Sequence, residues 1–177
     1  MKQALKVIVV ALVTVFSSQA AWAQLKIGEV PQTLELRDEL GGRLDKTPWS
    51  SDEMKGKVHV LFYVDPDEAD LNNETSEGLD KAKFPKEKFQ SVAVINMAAT
   101  WLPNFAISSK LKKKQKKYPR TIYVRDYKKE FVRAWNLSDD NSDVLAFDRK
   151  GRLVFRKDGK LEPDEIQKLL DVVRDNL

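Results

Sequence analysis

Two nearly unbroken apolar runs constrain this chain more than any other feature: KVHVLFYV at residues 57–64 and SVAVINM at residues 91–97. A strand with one wet face alternates apolar and polar side chains. A run that is apolar at almost every position instead predicts a strand covered on both faces, as in the middle of a sheet held between helices. Parallel neighbours of that kind need a crossover long enough for a helix. The polar stretch that begins at Pro66 and runs towards Lys83 predicts one. Further on, Ile107, Leu111 and Tyr118 fall at helical spacing, RTIYVRD predicts another strand and KKEFVRAWNL a short helix. VLAFDRKGRLVFRKDGKL predicts a β-hairpin that turns at Lys150-Gly151, and Ile166, Leu169, Leu170 and Val173 share one face of a closing helix. Near the start, an alternating run ending at Leu36 and an Asp38/Gly41-Gly42 turn predict a hairpin. The whole order predicts one α/β domain, a three-layer sandwich with a mixed central sheet.

Ahead of that domain, Lys2 and Lys6 precede an apolar run over residues 7–16, and Ala21-Trp22-Ala23 supplies the small-x-small pattern read by signal peptidase. The run is about half of the ~20 residues that a membrane-spanning helix needs. The expectation is a signal peptide over residues 1–23, a mature domain over 24–177, no transmembrane segment after cleavage, and a periplasmic location. Removing Lys2 and Lys6 from 31 basic residues leaves 29 against 27 acidic ones, a balance too even to predict nucleic acid as a partner. The chain has no cysteine. In an oxidising compartment its stability must then come from packing rather than disulfides, and thiol chemistry is excluded.

The order of elements resembles the thioredoxin-like fold in its peroxiredoxin and TlpA-like branch, on GEVPQTLELRDELGG, GKVHVLFYVD, YPRTIYVRD and VLAFDRKGRLVFRKDGKL. More narrowly, GKVHVL, INMAATWLP, KKYPRTIYVRD and AWNLSDDNSDVLAFDRKGRLVFRKDG resemble the YtfJ family of exported bacterial proteins. The resemblance implies a signal peptide and a thioredoxin-like domain. Aligned without gaps from Gly56-Lys57, the redox cysteines of the wider superfamily would fall on Glu68 and Leu71, and its cis-proline on Ser142. A non-proline cis bond costs ~2.5–4 kcal/mol, so a trans bond is expected at Ser142. Both hallmarks of disulfide exchange are missing.

Asp65, Asp67 and Glu68, around Pro66, form an acidic cluster where the superfamily keeps its cysteines. The same residues read more simply as a helix start: Asp at the cap, Pro at the first position, Glu at the third. Pro163-Asp164-Glu165 repeats the tripeptide where no site is expected. Asp139, Asp140, Ser142 and Asp143 form a second polar run that reads alone as a turn. The fold implied by the resemblance brings it to the same edge as Asp65, outside the carboxyl ends of the strands, where open α/β sheets take ligands. Several carboxylates there would suit calcium, although the spacing matches no EF-hand loop. Trp101 follows the second apolar run and is either a partner contact or a lid over the core.

Lys110, Lys112, Lys113, Lys114, Lys116, Lys117 and Arg120 form a basic run, read either as a solvated helix end or as a surface for anionic headgroups or an acidic protein. His59 is the only histidine, so neither a Cys/His pair nor a conventional zinc site can form. No cofactor is expected. The leading expectation is a non-catalytic module that binds another periplasmic protein through the former redox edge. The alternatives are an enzyme or cation-binding protein using the same carboxylates, and an electrostatic surface binder acting through the basic run.

Overall fold

The computed structural model describes residues 25–177; the expected leader, residues 1–23, lies outside them. Strands β1 (Glu35–Leu36), β2 (Gly41–Arg43) and β3 (Trp49–Ser50) open the domain. There follow β4 (Val58–Val64), α1 (Asn73–Lys81), β5 (Phe89–Asn96), α2 (Asn104–Lys117), β6 (Thr121–Asp126), α3 (Glu130–Trp135), β7 (Ser142–Phe147), β8 (Leu153–Lys157) and α4 (Pro163–Asn176). The main sheet has the order β2-β6-β5-β4-β7-β8, while β1 and β3 pair separately. β4 runs parallel to β5, and β5 to β6; β7, β8 and β2 join antiparallel. The sheet is mixed, as expected, and β4 lies inside it with every residue buried.

Alternation along β4 and β5 separates two cores. Leu61, Tyr63, Val92 and Val94 face α3 and the amino-terminal segment, where Trp49, Phe131 and Trp135 pack together with Leu145 and Phe147. Phe131 and Trp135 meet edge to face at 4.8 Å, the arrangement favoured by ring quadrupoles. Phe62, Val64, Ala93 and Ile95 face the other way, toward Leu79 of α1, Ile107 and Leu111 of α2, and Leu169 and Val173 of α4. These are the three layers.

The hairpin at Gly151 forms as expected: Gly151 takes φ +79°, and the Asp148 carboxylate accepts from the amides of Lys150 and Arg152. Two local expectations are corrected. Gly41 and Gly42 do not make a turn; they lie in β2, paired with Asp126 and Arg125 at the edge of the main sheet. An ideal Cβ on Gly41 would stand 1.8 Å from the Arg125 carbonyl oxygen, so the glycine allows two backbones to meet. The single helix expected from Pro66 is instead a 3-10 turn, Pro66–Glu68, followed by α1 from Asn73. The break falls at Asn72, whose side chain is drawn into the body of the protein, and the helix ends where Lys83 takes a left-handed φ of 49°.

Candidate functional site

The carboxyl edge of β4 is built from Asp65. Its amide donates to the Asn141 carbonyl at 2.8 Å, which ties the turn after β4 to the turn before β7. Its carboxylate accepts from the Asp67 amide at 2.8 Å, so Asp65 caps the 3-10 turn. Burial holds the Asp65 carboxyl above its ordinary value, and the negative charges of Asp67, Asp140 and Asp139 push the same way. The two acidic loops therefore adjoin, as expected from the fold. They divide the work unequally. Asp139 accepts from Lys129 Nζ at 2.7 Å and from Asn96 Nδ2 at 3.0 Å, and the Lys129 contact holds its carboxyl below the usual value. Asp67, Glu68 and Asp140 are exposed.

Two expected members of the cluster turn away from it. Asp143 sits on β7 beside Tyr63, on the Leu145 face, where its Oδ2 accepts from the Ser138 amide at 2.7 Å. Burial pushes its carboxyl up, and Oδ1 has no partner. Ser142 points to the opposite layer, where its hydroxyl and carbonyl oxygens each accept from Asn72 Nδ2 at 3.1 Å. No cis peptide occurs among the described residues, consistent with a trans bond at Ser142. Among the described residues no group of three acidic or histidine side chains lies close enough to share an ion, so the calcium geometry expected from the loop pair does not form. The two Pro-Asp-Glu tripeptides both open helical turns with Pro at the first position. At residues 163–165 Glu165 also accepts from the Glu162 amide and closes a capping box.

Three buried polar residues were not found by reading the sequence. Asn72 Nδ2 also donates to the Gly159 carbonyl, and its Oδ1 accepts from the Leu161 amide. Asp126, fully buried, accepts from the amides of Lys128, Glu130 and Phe131 at the start of α3 and from the Tyr63 hydroxyl. Asn96 is fully buried and has an unpartnered Oδ1. The partners of Asn72 lie 70 to 89 positions away, so no local pattern marks it. The lone histidine, His59, is buried, with Nδ1 3.1 Å from the Lys57 carbonyl, and burial lowers its pKa.

What this edge offers to solvent is aromatic. Trp101, on the loop after β5, is 87% exposed, and Phe105, in the first turn of α2, is 78% exposed. Beside them a cavity of about 480 Å³ opens between α1 and α2, and Leu102 and Asp67 lie on its wall. The basic run divides over this feature. Lys110, Lys113, Lys114 and Arg120 line the cavity, whereas Lys112, Lys116 and Lys117 do not. Lys114 Nζ reaches across to the turn before α1 and donates to the Ala69 carbonyl at 2.6 Å and to Asp70 at 3.3 Å.

The fold recurs in the thioredoxin domain of a thiol-disulfide oxidoreductase from Bacteroides vulgatus (TM-score 0.62, 16% identity, 84% of this chain and 97% of that one). It recurs also in a peroxiredoxin-like protein from Aquifex aeolicus (TM-score 0.60, 12% identity, 88% and 90%). In sequence, the uncharacterised protein YtfJ of Escherichia coli is 28% identical over 130 residues, 71% of this chain and 70% of its own length. A thioredoxin-like domain without cysteine, matched over residues 29–176 by the family model described as "bacterial protein of unknown function (YtfJ_HI0045)", belongs to the YtfJ family.

Proposed function

We propose that this protein is a non-catalytic binding module, exported to the periplasm by the leader at residues 1–23, whose former redox edge docks another exported protein. One observation carries the reading: Trp101 and Phe105, two large aromatics, stand almost wholly in water at the edge where this fold does its chemistry elsewhere. Aromatic side chains of this size dominate the energetics of protein interfaces, and contiguous exposed apolar surface marks contact sites. Asp67, Glu68 and Asp140, on the adjoining loops of the same edge, are exposed too, and a polar periphery is the usual anatomy of an interface. Two of the carboxylates on this edge have structural duties. Asp65 caps a turn and Asp139 is held by Lys129 and Asn96.

The test is photocrosslinking in intact cells, with the reactive group at position 101, at 105, and at Gln167 on the exposed side of α4. A single discrete protein adduct at both 101 and 105, absent at 167, and lost when Phe105→Ala is combined with the probe at 101, is the expected result. Equal capture at all three positions, or no protein adduct at 101 and 105, overturns the proposal.

A further inference from the structure

The two faces of the central sheet are not packed alike. On β4 and β5, Leu61, Tyr63, Val92 and Val94 are at most 1% exposed, while their immediate neighbours Phe62, Val64, Ala93 and Ile95, on the face below α1 and α2, are 5–9% exposed. These four are mid-sheet residues that a close-packed interior would cover completely. They form the floor of the cavity of about 480 Å³, which falls within the ~300–1,000 Å³ of small-molecule sites. The void arises because α1 leans on α4 while α2 leans on β6. The gap between α1 and α2 is crossed by long side chains, Lys114 onto Ala69 and Asp70 and Lys117 onto Glu77.

Shape and chemistry narrow the occupant. The lining runs from Ile95 to Phe89 along β5, six residue steps or about 20 Å, which suits a long chain better than a compact ring. Its depth is apolar. Its rim is unequal in charge: α2 has no acidic residue and contributes Lys110, Lys113 and Lys114, with Arg120 beyond its end. On the α1 side Asp70 is already paired with Lys114, leaving Asp67 and Asp80. The Tyr118 hydroxyl, buried on the same wall with the Lys117 ammonium beside its ring, has no acceptor for its own proton and so is a donor in want of one.

We infer that the cleft between α1 and α2 is a binding site for a single-chain anionic amphiphile, a long-chain carboxylate whose tail lies over Phe62, Val64, Ala93 and Ile95 and whose head meets Lys110, Lys113 and Tyr118. This site is separate from the Trp101 patch and does not depend on the protein-docking reading.

The purified protein is titrated calorimetrically with tetradecanoate below its micelle concentration, with butanoate, tetradecanol and tetradecyltrimethylammonium alongside. One-to-one binding of tetradecanoate, at least tenfold tighter than the cationic amphiphile, with no binding of butanoate, is expected. Ala93→Phe, which fills the floor, abolishes it. Should Ala93→Phe fail to fold, Ser91→Phe blocks the same cleft from its far end. Lys110→Glu with Lys113→Glu weakens tetradecanoate at least tenfold and leaves tetradecanol unchanged. Three outcomes overturn the inference: no binding of tetradecanoate; equal binding of the cationic amphiphile; or binding that survives the filled cleft. Native mass spectrometry of protein prepared without detergent gives a further check, since a bound peptide in place of a lipid anion would also overturn it.

Discussion

Asn72, the residue just before α1, donates through Nδ2 to both the hydroxyl and the carbonyl of Ser142, the first residue of β7, at 3.1 Å each. The contact joins the start of the helix that follows β4 to the strand beside it, the place where the thioredoxin superfamily keeps its redox pair and its cis-proline. Here the junction is held by an amide.

Replacing Asn72 by alanine therefore leaves the Ser142 and Gly159 carbonyls and the Leu161 amide without their partner in the interior. A buried polar group left unpaired costs ~1–3 kcal/mol. With partial relaxation and access to water, the expected loss is about 3 kcal/mol. In a domain of this size that lowers the melting temperature by roughly 6–12 °C. Urea unfolding monitored by tryptophan fluorescence measures it. A change in midpoint of less than a third of this would mean that the amide is dispensable.

Tyr63 and Asp126 should behave as a coupled pair. Tyr63→Phe removes one of four donors to the Asp126 carboxylate and is expected to cost about 1 kcal/mol. Asp126→Ala uncovers three backbone amides at the start of α3 and strands the Tyr63 hydroxyl, for about 3 kcal/mol. In the double variant the phenylalanine no longer strands a hydroxyl, so the combined loss is smaller than the sum. A double-mutant cycle by chemical denaturation checks this, and strict additivity would contradict the geometry.

Asp143 gives a pH dependence of defined sign. Burial raises its folded carboxyl pKa above that of the unfolded chain, so the folded state holds the proton more tightly. The associated stability is present below the ordinary aspartate value of ~3.9 and is lost as pH rises through the folded pKa. The Asp143 Oδ1 has no hydrogen-bond partner to offset the charge when the group ionises. Asp143→Asn keeps an oxygen to accept from Ser138 and removes the charge. Its urea midpoint at pH 7 is expected above that of the parent, and the advantage should shrink steadily as pH falls through the acid range. An advantage independent of pH would assign the effect to packing instead.

The parts legible in the sequence are those where one local rule acts alone. β4 could be read because a strand covered on both faces must be apolar throughout, and the β7–β8 hairpin because Gly151 takes a left-handed φ at its turn. The adjacency of Asp65 to the Asp139 loop followed from the fold. Alternation alone puts the neighbours Ser142 and Asp143 on opposite faces of β7, but which layer each one enters was not legible before the register with Val64 and Tyr63 was known. Asn72 was missed because its partners lie 70 to 89 positions away. The cavity was missed because a void belongs to no residue: Ala93, Ile107 and Leu111 all read as core, and the tilt of two helices decides how closely they meet.

Gly41 offers a separation of steric from conformational effects. Its φ is +139°, and a Cβ would fall 1.8 Å from the Arg125 carbonyl oxygen, a backbone atom with no rotamer to retreat into. Gly28 and Gly56 also take positive φ, +90° and +94°, but with nothing within 4 Å of the added carbon. Gly28→Ala and Gly56→Ala thus report strain in the backbone alone, ~1–3 kcal/mol. Gly41→Ala adds the collision and must push β2 off β6, which exposes an unpaired strand edge in the main sheet. The expected result is a loss at least twice that of either control. Amide exchange should accelerate in β2 and β6 while β4 and β7 stay protected, and the variant should self-associate as concentration rises. Hydrogen exchange with mass spectrometry, read strand by strand, tests all of this together. Uniform acceleration across the sheet would instead mean that β2 is integral to the core rather than a strand laid along its edge.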